Sequence, residues 1–149
     1  MATRLTAEDF RQSLTAHVAE KGAALCAQYG PDLDWGGLQR LLQDRAFVRY
    51  PCEIAFDASA LEPGEFAHPV ARGERPEDGF TIHVHPIFLA QLSAVPALVL
   101  YQLVLANYGE FASADDAEAF GAGALGLTRD EYYARLCELA DQVGGCAAA

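Results

Sequence analysis

Apolar residues recur at helical spacing from the start of the chain. Phe10, Leu14, Val18 and Leu25 form one stripe, the arrangement by which a helix buries a single face. Thr6, with Asp9 three residues on, predicts the N-cap: a hydroxyl and a carboxylate for the free amides of the first turn. Tyr29-Gly30-Pro31 predicts the stop. Asp34 predicts the cap of a shorter helix bearing Trp35, Leu38, Leu41 and Leu42, although Gly36 and Gly37 lower its intrinsic propensity. The period then falls to two. Val48, Tyr50, Cys52, Ile54 and Phe56 alternate with Arg49, Pro51, Glu53 and Asp57, as in a strand with one face buried. Pro51 has no N–H for a ladder, so this strand is expected at an edge or at a bulge. LEPGE predicts a turn. The alternating runs Phe66-His68-Val70 and Phe80-Ile82-Val84 flank GERPEDG, whose Pro76 and Asp78-Gly79 predict a hairpin with a long loop.

After Pro86 the period is helical again. IFLAQL reads as a short amphipathic piece, and Ser93 with Pro96 as the start of a second helix. Residues 97–106 are apolar apart from Gln102 and the hydroxyl of Tyr101. A helix apolar all round is normally buried on every side. Asn107-Tyr108-Gly109 supplies its stop. Ser113 with Asp116 predicts the cap of a helix holding Glu118, Phe120 and Leu125, whose Gly121 and Gly123 allow close helix approach. Thr128 with Glu131 predicts a capping box for a last helix with Tyr132, Leu136, Leu139 and Val143 inward. The expected fold is α+β in a single domain, 1–149. It comprises N-terminal helices (1–44), a small antiparallel sheet (45–85), a helical half around one buried central helix (86–143) and a flexible tail (144–149).

Composition narrows the function. The 149 residues suit one domain, and 52% hydrophobic residues suffice for a core without disulfides or structural metal. The formal charge is −11, from 10 basic residues (nine Arg and Lys21) against 21 acidic. Phosphate backbones and anionic bilayers repel such a chain, so nucleic acid and membrane are not expected partners. No apolar run reaches the roughly 18–20 residues of a spanning helix, and MATRLTAEDF lacks a basic-then-apolar leader. Cys26, Cys52, Cys137 and Cys146 show no CxxC spacing, which favours reduced thiols in a cytoplasmic protein. The Ala- and Arg-rich, Lys-poor usage resembles that of high-GC bacterial proteins.

A strand, a buried helix and then a helix with an inward Glu resembles the core of the zincin-like metallopeptidases. In that family the buried helix reads HExxH. Two His one turn apart hold zinc, the Glu activates the zinc-bound water, and a third ligand often lies on the next helix. Here the buried helix reads YQLVLANYG and the next reads DDAEAFGAGALGL, with FTIHVHP as the preceding strand. The resemblance covers residues 80–127. It places Tyr101 and Leu105 at the two His positions, Gln102 at the Glu and Glu118 at the third ligand. Leu105 has no donor atom, a protonated phenol is a poor zinc ligand, and Gln102 cannot take a proton. The resemblance therefore implies a pseudo-metallopeptidase. It would lack catalytic residues, zinc and any other cofactor, keep a degenerate pocket at Tyr101, Gln102, Leu105 and Glu118, and bind a protein or peptide. Read without the family, Tyr101 and Leu105 are core residues, and Gln102 is a buried amide paired with backbone or with Glu118.

The histidines give a second reading. His83 and His85 lie two apart on a strand and share a face. If pairing sums to 151, His68 lies opposite His83, and the three imidazoles form a candidate metal cluster for a hydrolase. A one-residue slip would move His68 to the other face. Cys52 lacks a neighbouring His and is not expected to be a nucleophile. The serines lack a GxSxG context, and GAGALG lies inside a helix, not between strand and helix as a phosphate loop would. A third reading is self-association through an exposed sheet edge or a Tyr132-Tyr133 face.

Overall fold

The computed structural model describes residues 6–144. The cap signals translate into geometry at every helix but the buried one. Helix α1 (Ala7–Tyr29) opens on Thr6, whose side chain accepts from the Asp9 amide at 3.0 Å while Asp9 accepts from the Thr6 amide. Gly30, at φ 85°, ends it. Asp34 accepts from the Gly37 amide at 2.7 Å and starts α2 (Trp35–Leu41). Val18 and Leu25 are buried as the stripe predicts. Phe10 is half exposed, its ring edge-on to Phe111 at 5.8 Å.

The strands are β1 (Cys52–Phe56), β2 (Ala67–Ala71) and β3 (Phe80–Val84). Strands β2 and β3 form the expected antiparallel hairpin, with His68 opposite His83. The expectation of a wholly antiparallel sheet is corrected. The order is β1-β3-β2, and β1 runs parallel to β3, so the sheet is mixed. The chain leaves β1, passes over one strand position to β2 and returns between them. Alternation reports which face of a strand is buried, not which strand lies beside it. Pro51 precedes β1, which lies at an edge as its proline requires. The first strand is also shorter than the alternation over residues 48–57 suggests. Val48 is fully buried, but in a turn, because the amides of Arg49 and Tyr50 bond the Asn107 side chain and not a neighbouring strand.

The sheet buries Ile82, Val84, Ala67 and Cys52 in the core that also holds α3 (Val95–Tyr108). Pro96 lies in the first turn of α3, but Ser93 is not its cap. Ala94 takes that position and makes no side-chain bond. As expected of an all-apolar helix, α3 is buried nearly all round. Tyr101, Leu105 and Tyr108 are half-buried. A window average reads this stretch differently from a count of unbroken apolar residues. Taken with its flanking turns, Leu92–Phe111 is 20 residues with mean hydropathy 1.4, long and apolar enough by length and composition to cross a membrane. Isolated Gln, Asn and Pro residues break an unbroken run without lowering the average enough to fail the test. In this fold 61% of that window is buried inside the protein.

Helices α4 (Ala114–Leu125) and α5 (Arg129–Gln142) both open on capping boxes, Ser113 with Asp116 and Thr128 with Glu131. Asp116 also accepts from Thr15 at 2.8 Å, pinning α4 to α1. Glycines set the spacing of these helices. A Cβ on Gly22 would stand 2.7 Å from the Phe120 carbonyl, and one on Gly121 would overlap the Tyr132 ring. The expected close approach at Gly121 is therefore made to α5, and at Gly123 to α1. Beyond Gly144, the predicted flexible tail and its Cys146 lie outside the described residues.

Candidate functional site

Three consecutive requirements build the site. Burial of α3 on nearly every side fixes its rotation, the Gly121 contact sets α5 close to α4, and the hairpin places β2 beside α3. A cavity of about 360 Å³ remains where these elements meet. Tyr101, Gln102 and Leu105 line it from α3 and Glu118 from α4, so the four residues singled out by sequence share one hollow. Phe66 and His68 border it on the sheet side, and Tyr133, Leu136 and Cys137 on α5.

The polar groups of the cavity differ in how they are satisfied. Glu118, 19% exposed, accepts from the Arg129 guanidinium at 3.3 Å, and Arg129 also donates to Asp115 at 3.1 Å. Sequence reasoning missed Arg129. Its signal was a cation in the first turn of a helix, where the backbone dipole disfavours positive charge and a carboxylate partner must compensate. Burial raises the Tyr101 phenol above its ordinary value, and the charges of Glu118 and Asp115 raise it further. That phenol stays protonated through the neutral range. Gln102 is 3% exposed, and its Oε1 has no hydrogen-bond partner among the described residues. The expected pairing of this amide, its oxygen with a backbone N–H or its nitrogen with Glu118, is not found among the described residues. Such a buried orphan is uncommon, because leaving it costs about 1–3 kcal/mol.

The donor set does not fit zinc. Leu105 offers no atom, the Tyr101 phenol holds its proton, and Glu118 is engaged by Arg129. The alternative histidine cluster is corrected too. His68 and His83 share a sheet face, but His85 lies past the end of β3, and its Nδ1 accepts from the Ile87 amide at 3.2 Å. Among the described residues no group of three His, Cys, Asp or Glu side chains could hold a metal ion. His68 instead stands 3.8 Å from Glu65, and His83 Nδ1 is buried without a partner among the described residues.

Two further readings are adjusted. Tyr132 and Tyr133 present no common face. Tyr132 is fully buried and donates to the Ala97 carbonyl at 2.6 Å, whereas Tyr133 is 55% exposed. Burial pushes the Cys52 thiol up to about 11, against the weaker opposing pull of Arg72. A thiol so protonated is a poor nucleophile at neutral pH.

Compared with protein-family models, with curated proteins and with solved structures, the chain finds no match.

Proposed function

We propose that this protein is a non-catalytic binding module of degenerate zincin-like architecture. In this reading the cavity beside α3 accepts an apolar side chain of a protein or peptide partner. The observation that carries it is the convergence of Tyr101, Gln102, Leu105 and Glu118 on one hollow of about 360 Å³. Pockets of that size with mostly apolar walls and a few polar groups are suited to one anchoring side chain. Phe66, Leu105, Tyr133 and Leu136 supply the walls. The lack of a proton acceptor at Gln102 and of a donor at Leu105 supports binding without hydrolysis.

Panning a phage-displayed random peptide library against the full chain tests the reading. Peptides enriched on the wild type should share an apolar residue. They should lose about tenfold or more in affinity to Leu105→Trp, a change that fills the cavity. Enrichment that ignores Leu105→Trp, or no enrichment, overturns the reading. Zinc bound at one ion per purified chain, with peptide hydrolysis, would overturn its non-catalytic part.

A further inference from the structure

A different hollow, of about 340 Å³, opens where α1 faces the loop before β1. Lys21, Arg45, Arg49 and His17 line it, with Phe47 and Tyr108 as aromatic walls. No carboxylate lines it, in a chain whose acidic residues outnumber its basic ones 21 to 10. These charges are mounted on a held framework. Lys21 Nζ donates to the Ala46 carbonyl at 2.8 Å and lies over the Phe47 ring at 5.6 Å. The loop that carries both arginines is fastened twice. Asp44 accepts from the Ala46 amide at 3.0 Å, and the buried Asn107 side chain bonds Phe47, Arg49 and Tyr50. Asp44, close enough to Lys21 to respond to its charge, is also engaged by Tyr29 at 2.8 Å and Gln28 at 3.2 Å. Neither Arg45 nor Arg49 enters an ion pair among the described residues.

We propose that this hollow is a binding site for a small aromatic phosphate ester. The phosphate would sit among Lys21, Arg45 and Arg49, and the ring against Phe47 and Tyr108. Three cations without a lining counter-charge favour a dianion over a monocarboxylate, and guanidinium forks match phosphate oxygens. The aromatic walls give the organic part its apolar contact. A small anion feels mainly this local field, since charges more than about 10 Å away are largely screened at 0.1 M salt. An extended polyanion would also meet the acidic remainder of the surface. The site is separate from the cavity at Gln102 and does not depend on its function.

The test is titration of the full chain with phenyl phosphate, inorganic phosphate and phenol at low salt. Binding is followed by calorimetry and by backbone amide shifts. Phenyl phosphate should bind saturably and weaken with added salt, with shifts centred on Lys21, residues 45–49 and Tyr108. Inorganic phosphate should bind about tenfold more weakly and phenol more weakly still. The double variant R45Q/R49Q should lose about tenfold or more in affinity for phenyl phosphate at an unchanged melting temperature. The proposal is overturned by absence of saturable phenyl phosphate binding, by phenol binding as tightly, or by unchanged affinity in that folded variant.

Discussion

Gln102 and Asn107 are two buried amides five residues apart on one apolar helix, and they are used in opposite ways. Asn107 engages both ends of its carboxamide: its oxygen accepts from the Arg49 amide at 3.1 Å and the Tyr50 amide at 3.4 Å, and its nitrogen donates to the Phe47 carbonyl at 3.3 Å. Gln102 leaves its oxygen without a partner among the described residues and borders an open cavity. A buried polar group bonded at both ends specifies structure, whereas an atom left unmatched is a cost that packing alone does not explain. The first fastens a loop, and the second marks the hollow proposed for binding.

The contrast is broken most directly at Asn107. Asn107→Ala should destabilise the protein by about 2–3 kcal/mol, because two amides and a carbonyl lose their partner at once. Chemical denaturation reads this as a lower midpoint. A loss no larger than that of an exposed substitution would remove the clamp from the account. Tyr132→Phe follows at about 1–2 kcal/mol, since it strips the donor from the Ala97 carbonyl in the same core. An unchanged unfolding free energy would show that this carbonyl is satisfied elsewhere.

The thiol beside the clamped loop sharpens the comparison through pH. Cys52 Sγ lies 3.4 Å from the Tyr50 carbonyl, and burial holds the folded thiol protonated to about 11. The unfolded thiol ionises near its ordinary value, below that. The folded state therefore binds the proton more tightly. This contribution is complete below the ordinary thiol value and is lost progressively as pH climbs to about 11. Unfolding titrations of wild type against Cys52→Ala should show the extra alkaline slope only in the wild type, and parallel curves would contradict it. The smallest effect belongs to Gln102. Gln102→Leu removes no bond to its oxygen, so stability should hold or rise by under about 1 kcal/mol. A loss as large as that of Asn107→Ala would mean the two amides do equivalent work.

Local signals were the legible part of this chain. The capping boxes at Thr6, Ser113 and Thr128 each join residues three positions apart, and their hydroxyl–amide bonds form wherever the helix starts. The one failed cap, Ser93, fails because α3 begins two residues later inside the core. The grouping of Tyr101, Gln102, Leu105 and Glu118 was expected only from the zincin-like resemblance, because helical spacing gathers the first three on α3 but does not bring Glu118 of α4 to them. Arg129 was not foreseen, since its partners Asp115 and Glu118 lie on a different helix. His85 was misjudged because the strand ends one residue before it and the next turn redirects its ring.

Hydrophobic periodicity and cap chemistry by themselves determined the helices, the presence of the hairpin and the burial of residues 97–106, because these depend on neighbours in sequence. The long loop between β2 and β3 left the register open, and the fold set His68 opposite His83. Tertiary structure alone decided that β1 runs parallel to β3, that Asn107 turns Arg49 and Tyr50 away from strand pairing, and that three cations gather in an otherwise acidic protein. Those outcomes depend on which distant segments meet, and a side chain's pattern along the chain records whether it is buried but not against what.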